Sequence, residues 1–349
     1  RNVILLGHGS AGKTSLTEAL LHSCGATTRL GRVEDGTSVA DFEEDERARR
    51  ISINTALVSC EYEDIKINLL DTPGFTDFVG EVNSAMRVAD GAIILVDAVS
   101  GVEVGTQLVW DFCDEHKLPR FVVINKMDRD NANYERTLAS VQQLVGDKKL
   151  IPAQLPWGEK ADFKGIIGLL SEQARSGVGD KSEDIPAEFK TAASESRIAL
   201  EEAAAEGNDE LLIKYLDGGE LTQDEIKLGF KSAVLAATLV PVFLASSTSQ
   251  IGIDPILQGI MRYLPSPAER RPFSAESISG EEEIRASDAA HMAVYAFKTT
   301  ADPYVGKLTY LRVMSGCLDS DSRVYNHNKA TGERIGTLHV MRGKEQIPI

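Results

Sequence analysis

Aromatic residues are sparse, at 6% of 349 positions, and no apolar run approaches the ~20 residues that a membrane-crossing helix needs. The longest run, residues 92–96, is only strand-sized. Cysteine is scarce as well. Cys24, Cys60, Cys113 and Cys317 show neither CxxC nor metal-type spacing, so reduced thiols in a cytosolic protein are expected. Positive charge is in deficit: 37 Lys and Arg face 53 Asp and Glu, a net charge of −16, which argues against gripping nucleic acid through bulk positive charge. Internal repeats and low-complexity tracts are absent too. The first residue is Arg1 rather than Met, so the N-terminus is expected to have been trimmed, and a targeting segment stays open as a possibility.

What is present is the composition of a globular protein, 42% hydrophobic and 26% charged, in a chain long enough for two or three domains. Over the first 130 residues short apolar strands alternate with amphipathic helices, which predicts a parallel sheet covered on both faces. Residues 2–6 read as the first strand. A Gly-rich turn follows, then a helix carrying Leu16, Leu20 and Leu21 on one face. Residues 65–70, 92–96, 121–124 and 240–244 read as further strands, and a helix presents Val79, Val82 and Met86. Such a doubly wound α/β sheet gathers its loops at the carboxyl ends of the strands, where ligands bind.

Residues 146–239 break this rhythm. Residues 194–205 are rich in Ala and Glu, and Thr222 with Glu225 makes a capping box ahead of Ile226, Phe230 and Val234. The stretch reads as an α-rich insertion that serves as scaffold. Leu264-Pro265-Ser266-Pro267 ends a helix and closes a first domain of residues 1–267. A polar, acidic linker, residues 268–288, includes Glu281 to Glu283. Beyond it the period becomes two, in residues 291–298, 307–313 and 323–326, with turns at Asp302-Pro303 and Ser315-Gly316. Residues 289–349 therefore read as the start of an all-β barrel domain, too short to close, and the chain is expected to continue.

Four motifs carry chemistry. Gly7-His8-Gly9-Ser10-Ala11-Gly12-Lys13-Thr14 fits the phosphate-loop pattern GxxxxGK[ST], between a strand and a helix as that pattern requires. Backbone N–H groups and the helix N-terminus cradle phosphates; Lys13 is expected to reach the β- and γ-phosphates, and the Thr14 hydroxyl to ligate Mg²⁺. Asp71-Thr72-Pro73-Gly74 follows the strand of residues 65–70. There Asp71 can hold a Mg²⁺-bound water, and the Gly74 N–H can meet a γ-phosphate. Asn125-Lys126-Met127-Asp128 selects guanine, because a carboxylate accepts from guanine's ring N–H and amino group while adenine would leave it unsatisfied. Discrimination on the order of 10⁴ follows from sites built this way. Ala245-Ser246-Ser247 is the weakest of the four, expected to touch the base oxygen through backbone N–H.

His8 within the phosphate loop, Arg49-Arg50-Ile51-Ser52-Ile53, the run from Asp71 through Phe75 to Phe78, Asn125 to Arg129, and Leu264 to Pro267 together resemble the translational GTPases. The insertion, and the segment from Asp302-Pro303 through Val305-Gly306-Lys307 to Ser315-Gly316, are similar to those of elongation factor G. The resemblance covers essentially the whole chain. It implies GTP and GDP as substrate and product, Mg²⁺ as cofactor, the ribosome as partner, a monomer, and a cytoplasmic location without a membrane. The family pattern has Asp, Thr and His where this chain has Ser10, Ser52 and Phe75. Ser52 keeps the hydroxyl that would ligate Mg²⁺ when the first switch closes, whereas Phe75 cannot position a water as His would. A divergent second form of elongation factor G is implied. The run from Glu43 to Arg50 falls in the first switch and is expected to be a mobile solvated loop that orders only with GTP.

A GTP-hydrolysing factor that drives translocation or recycling on the ribosome is thus expected. The alternatives are a regulatory GTP-binding protein that hydrolyses weakly, and a ribosome-protection factor, which the long insertion argues against.

Overall fold

The computed structural model describes residues 1–277, 280–302 and 306–349. In chain order the first part runs β1 (Asn2–Gly7), α1 (Lys13–Ser23), α2 (Glu44–Arg49), β2 (Ala56–Tyr62), β3 (Ile65–Asp71), α3 (Val79–Met86), β4 (Gly91–Asp97), α4 (Val104–Glu115), β5 (Arg120–Asn125) and α5 (Tyr134–Val145). There follow β6 (Lys149–Pro152), β7 (Gln154–Trp157), β8 (Gly165–Gly168), β9 (Gln173–Ser176), β10 (Lys181–Glu183), α6 (Lys190–Ala205), α7 (Asp209–Leu216), α8 (Gln223–Leu235), β11 (Leu239–Leu244) and α9 (Ile253–Tyr263).

Seven strands form the main sheet in the order β2-β3-β1-β4-β5-β11-β6. The continuous apolar strands are explained by helices on both faces. Along β1, Val3 and Leu5 enter one core while Ile4 and Leu6 enter the other; β4 and β5 divide their side chains in the same way. Leu16, Leu20 and Leu21 of α1 and Ile256, Leu257 and Ile260 of α9 cover the first face. Val82 and Met86 of α3, Val109 and Trp110 of α4, and Val141 of α5 cover the second.

Both edge strands of the sheet were unexpected, and one of them departs from the parallel expectation. Strand β2 joins the edge antiparallel to β3, because Glu63 and Asp64 both take left-handed φ, 46° and 61°, and turn the chain straight back. The other edge strand, β6, comes from within residues 146–239 and pairs parallel with β11. The remainder of that stretch is mixed: β7 to β10 make a four-stranded antiparallel sheet, and α6 to α8 pack beside it. Its helices do not form a separate core, since Leu200, Ile226, Phe230 and Val234 join the cluster of the first face.

The stretch expected as bare linker carries a hairpin, β12 (Phe273–Ser277) with β13 (Gly280–Ile284), and Glu281 to Glu283 lie on its second strand. Three more hairpins follow: β14 (Ala293–Asp302) with β15 (Gly306–Ser315), β16 (Arg323–Asn326) with β17 (Thr331–Arg334), and β18 (His339–Arg342) with β19 (Glu345–Pro348). Pro303 of the expected turn, and Val305 of the segment that resembles elongation factor G, lie outside the described residues. Among the described residues these hairpins do not close into a barrel.

A buried carboxylate ties this β region to the main sheet. Asp90, just before β4, is fully buried. Its Oδ1 accepts from Arg312 of β15 at 2.6 Å and from Arg270 at 3.3 Å, and its Oδ2 accepts from Asn2 at 2.7 Å. Both guanidinium groups also lie over the Phe273 ring, at 4.0 Å for Arg270 and 5.4 Å for Arg312. Removing the carboxylate would strand two half-buried cations. Asp90→Ala should therefore lower unfolding stability in urea by about 3–5 kcal/mol. A loss below about 1 kcal/mol, the range of an exposed pair, would show that this junction is solvated and weak.

Candidate functional site

Each loop of the site begins where a main-sheet strand ends. The phosphate loop leaves β1 and enters α1 at Gly12, which takes φ 95°. A Cβ at Gly12 would come within 2.4 Å of Asn125 Nδ2, so close approach as well as backbone geometry demands glycine. Helix α1 has no capping side chain and no acidic residue in its first turn, which leaves its positive end open to an anion. Lys13 is buried and donates to the carbonyls of Gly7 at 3.0 Å and His8 at 2.9 Å. An ammonium has three donors, so one stays available beside the loop. Ser10, exposed and at φ 65°, sits at the loop's tip. His8 turns away: its Nδ1 accepts the Gly105 N–H of α4 at 3.2 Å, and its Nε2 faces Glu103 at 3.5 Å. Ala11, also buried, takes part through its carbonyl.

At the end of β3, Asp71 is 1% exposed and both carboxylate oxygens lack a hydrogen-bond partner. The Thr14 and Ser52 hydroxyls lie 3.1 Å apart, and Ser52 donates to Asp41 at 2.8 Å. Asp41 Oδ2 is a further buried oxygen without a partner. Two hydroxyls and two carboxylates, three of their oxygens orphaned, are the hard donors that suit Mg²⁺ and fit the ion well. Among the described residues no group of three or more His, Cys, Asp or Glu could by itself hold a metal, so such an ion would complete its shell with phosphate and water oxygens. Burial drives the electrostatics here. It pushes the Asp71 carboxyl well up and the Lys13 ammonium down, and it pushes Asp41 up to about 6.

Gly74 packs directly on the phosphate loop, where a Cβ would fall 2.3 Å from Lys13 Nζ and 2.7 Å from the Gly9 nitrogen. Phe75 is 40% exposed and lays its ring over Gly9, within about 3.1 Å of where a Cβ there would stand. The side chain offers no hydrogen bond at this place.

On the base side, buried Asn125 donates to Ala11 O at 3.1 Å and accepts from both the N–H and the hydroxyl of Ser247, at 3.1 and 2.9 Å. Lys126, at φ 63°, pairs with Asp97 at 2.7 Å. Asp128 accepts from Ser249 Oγ at 2.8 Å through Oδ2, while its Oδ1 is buried without a partner. The N–H groups of Ser246 and Ser247 are already engaged, by Ile251 O and Asn125 Oδ1. Their loop thus holds Asn125 and Asp128 in place. The open cleft that results, about 210 Å³, is lined by Gly9, Ser10, Gly12, Lys13, Thr14, Ser52, Gly74, Phe75, Asn125, Lys126 and Ser247. Gly7, His8, Ala11, Asp71, Asp128 and Ser246 stand behind that surface.

Sequence reasoning missed Asp41 and Ser249. The run expected as a mobile loop contains α2, held by a capping box between Glu43 and Glu46. Glu46 turns inward, 2% exposed, and accepts from the Ile53 and Asn54 N–H groups at 3.0 Å each. Glu18 of α1 is fully buried and accepts from Ser38 Oγ at 2.7 Å and the Val39 N–H at 2.6 Å. Glu46 is hidden in an acidic run that looks like a solvated face, and Glu18 is the lone acidic residue of α1.

A phosphate-loop sequence motif, a buried carboxylate at the end of β3 and the Asn125 to Asp128 run, each at the carboxyl end of a strand, are the arrangement of a phosphate-loop GTPase domain. The family model for the elongation factor Tu GTP-binding domain matches residues 1–266, and the chain belongs to this family. It is also similar to a crystal structure of a protein from Thermus thermophilus, with a TM-score of 0.88 and 33% sequence identity. That match covers 100% of this chain and 50% of the other, so the chain spans half the length of the solved protein. The resemblance to elongation factor G-type translational GTPases is borne out along the whole chain. No helix among the described residues is long and apolar enough to cross a membrane.

The Asp41 environment yields a pH test. A carboxyl whose folded pKa is raised, here from 3.8 to about 6, contributes most to stability below pH 3.8 and loses that contribution as pH rises through 6. Without metal or nucleotide, Asp41→Asn should therefore lose less stability than the parent between pH 5 and pH 8. Millimolar Mg²⁺ should restore parental stability more at pH 8 than at pH 5, and the variant should gain less from it. Thermal unfolding checks this, and identical pH and Mg²⁺ responses in the two proteins would contradict it.

Proposed function

We propose that the chain is the GTP-binding part of a translation factor that acts on the ribosome, in translocation or recycling, and is reset by hydrolysis. The observation that carries the reading is Asp128, with one oxygen fixed by Ser249 and the other buried and unpaired, just behind the lining of the phosphate cleft beside Lys126 and Ser247. Such a carboxylate is satisfied by guanine's two adjacent donors. Membership of the elongation factor Tu GTP-binding-domain family supports action in translation.

In this account the phosphate-loop N–H groups and Lys13 hold the β- and γ-phosphates, and the Gly74 N–H meets the γ-phosphate. Thr14, Ser52 and Asp71 are the residues that would hold Mg²⁺, which supplies neutralising charge at the phosphates, with Asp41 orienting Ser52. Phosphoryl transfer depends mainly on positioning and charge stabilisation, so these groups accelerate it even without a polar side chain at position 75. Phe75 replaces a group that would orient water. That substitution favours a second reading, a regulatory GTP-binding protein that hydrolyses slowly and signals by nucleotide state.

GTP turnover with and without ribosomes separates the two. Ribosomes should raise turnover, and Phe75→His should raise the stimulated rate at least about tenfold, a floor set below the 10²–10⁴ typical of a proton- or water-handling side chain. Nucleotide affinity should change little. Turnover that ribosomes leave untouched in both proteins would favour the regulatory reading; stimulation that is equal in both would mean hydrolysis does not depend on position 75.

A further inference from the structure

The insertion reaches back to the guanine side of the cleft through one carboxylate. Asp180 lies in the turn between β9 and β10, 2% exposed, with a left-handed φ of 48°. Its Oδ1 accepts the Gly252 N–H at 2.7 Å and its Oδ2 accepts the Asp254 N–H at 2.9 Å. Helix α9 has no capping side chain of its own. Its N-cap is Gly252, at φ 79°, where a Cβ would fall 2.2 Å from Leu244 O. The donors that a Ser or Asp would normally satisfy at this helix start are therefore satisfied from another part of the chain.

The residue before Gly252 closes the base-side loop. Ile251 and Ser246 exchange N–H to carbonyl bonds at 3.1 and 3.0 Å. Between them stand Ser247, bonded to Asn125, and Ser249, bonded to Asp128. Hydrogen bonds joined by short stretches of backbone thus run from Asp180 through Gly252 and the Ile251–Ser246 pair to the side chains of Asn125 and Asp128.

We propose that Asp180 is a positioning residue for guanine recognition, fixing from within the insertion the loop that orients Asn125 and Asp128. The proposal rests on the reading of this cleft as a guanine-nucleotide site. Asp180 touches no ligand; its effect is on how tightly the loop is held, and so on how fast nucleotide leaves and how sharply the base is read.

Release of a fluorescent GDP analogue from the full chain tests this, together with the preference for GTP over inosine triphosphate, which lacks the amino group. Asp180→Ala should release GDP at least about tenfold faster, the size expected when a charged hydrogen bond is lost, and should narrow the preference. Asp180→Asn keeps one carbonyl acceptor and should fall between parent and Ala. Leu211→Ala, on α7 within the insertion, serves as a control for general loosening and should keep parental release and preference. Parental kinetics in Asp180→Ala would overturn the proposal, as would an equal change in Leu211→Ala. If Asp180→Ala does not fold, parental kinetics in Asp180→Asn would overturn it instead. The parent's preference for GTP over ATP is measured alongside. Its absence would sink the guanine-site reading itself, whereas its presence with unchanged Asp180 variants would sink only the role of Asp180.

Discussion

The side-chain amide of Asn125 is the interaction on which the cleft depends. It stands 1% exposed at the end of β5, where its NH₂ holds the phosphate loop by Ala11 O and its carbonyl holds the base-side loop by Ser247. Only a side chain with a donor and an acceptor can do both. Aspartate would lose the donor toward Ala11 O and leave a carbonyl and a charge facing each other in a buried place. Because three loops from three strands meet at one amide, phosphate and base sites are fixed relative to each other before any ligand enters. Pre-formed geometry of this kind spares the ligand the ordering it would otherwise have to impose.

The switch segments are held by a second set of buried polar contacts. Glu18 and Glu46 turn inward to grip residues 38–40 and 53–54. Lys298 of β14 then joins the segment after Ser52 and helix α3 to the β region: its ammonium donates to Glu81 of α3 at 2.8 Å and to Thr55 O at 3.0 Å. Glu81 in turn accepts the Thr55 N–H at 2.8 Å. Any displacement of the segment after Ser52 or of α3 is thus felt at Lys298, while Asp90 anchors the same β region farther along the sheet.

Much of the fold was legible because its signals are local. Strands β1, β3, β4, β5 and β11 announce themselves as apolar runs, and Thr222 with Glu225 forms the capping box that starts α8. The phosphate loop and the Asn125 to Asp128 run were legible for the same reason, since their chemistry demands fixed residue types at fixed spacing. Strand β2 was missed because its alternation is broken by Ser59 and Cys60, both buried. Strand β6 was missed because four residues ending in proline carry little pattern of their own. Asp41, Ser249 and Asp180 were invisible for a different reason. Each is a common surface residue in a polar stretch, and only tertiary packing turns it toward Ser52, Asp128 or Gly252.

The central claim is that Asp128 reads guanine, and a competition titration of GTP against xanthosine triphosphate tests it most directly. In Asp128→Asn, GTP binding should weaken by about 1–3 kcal/mol, the cost of a lost charged hydrogen bond, while the xanthine nucleotide, with an oxygen in place of the amino group, gains relative to GTP. A folded Asp128→Asn protein that binds GTP as tightly as the parent would contradict the account.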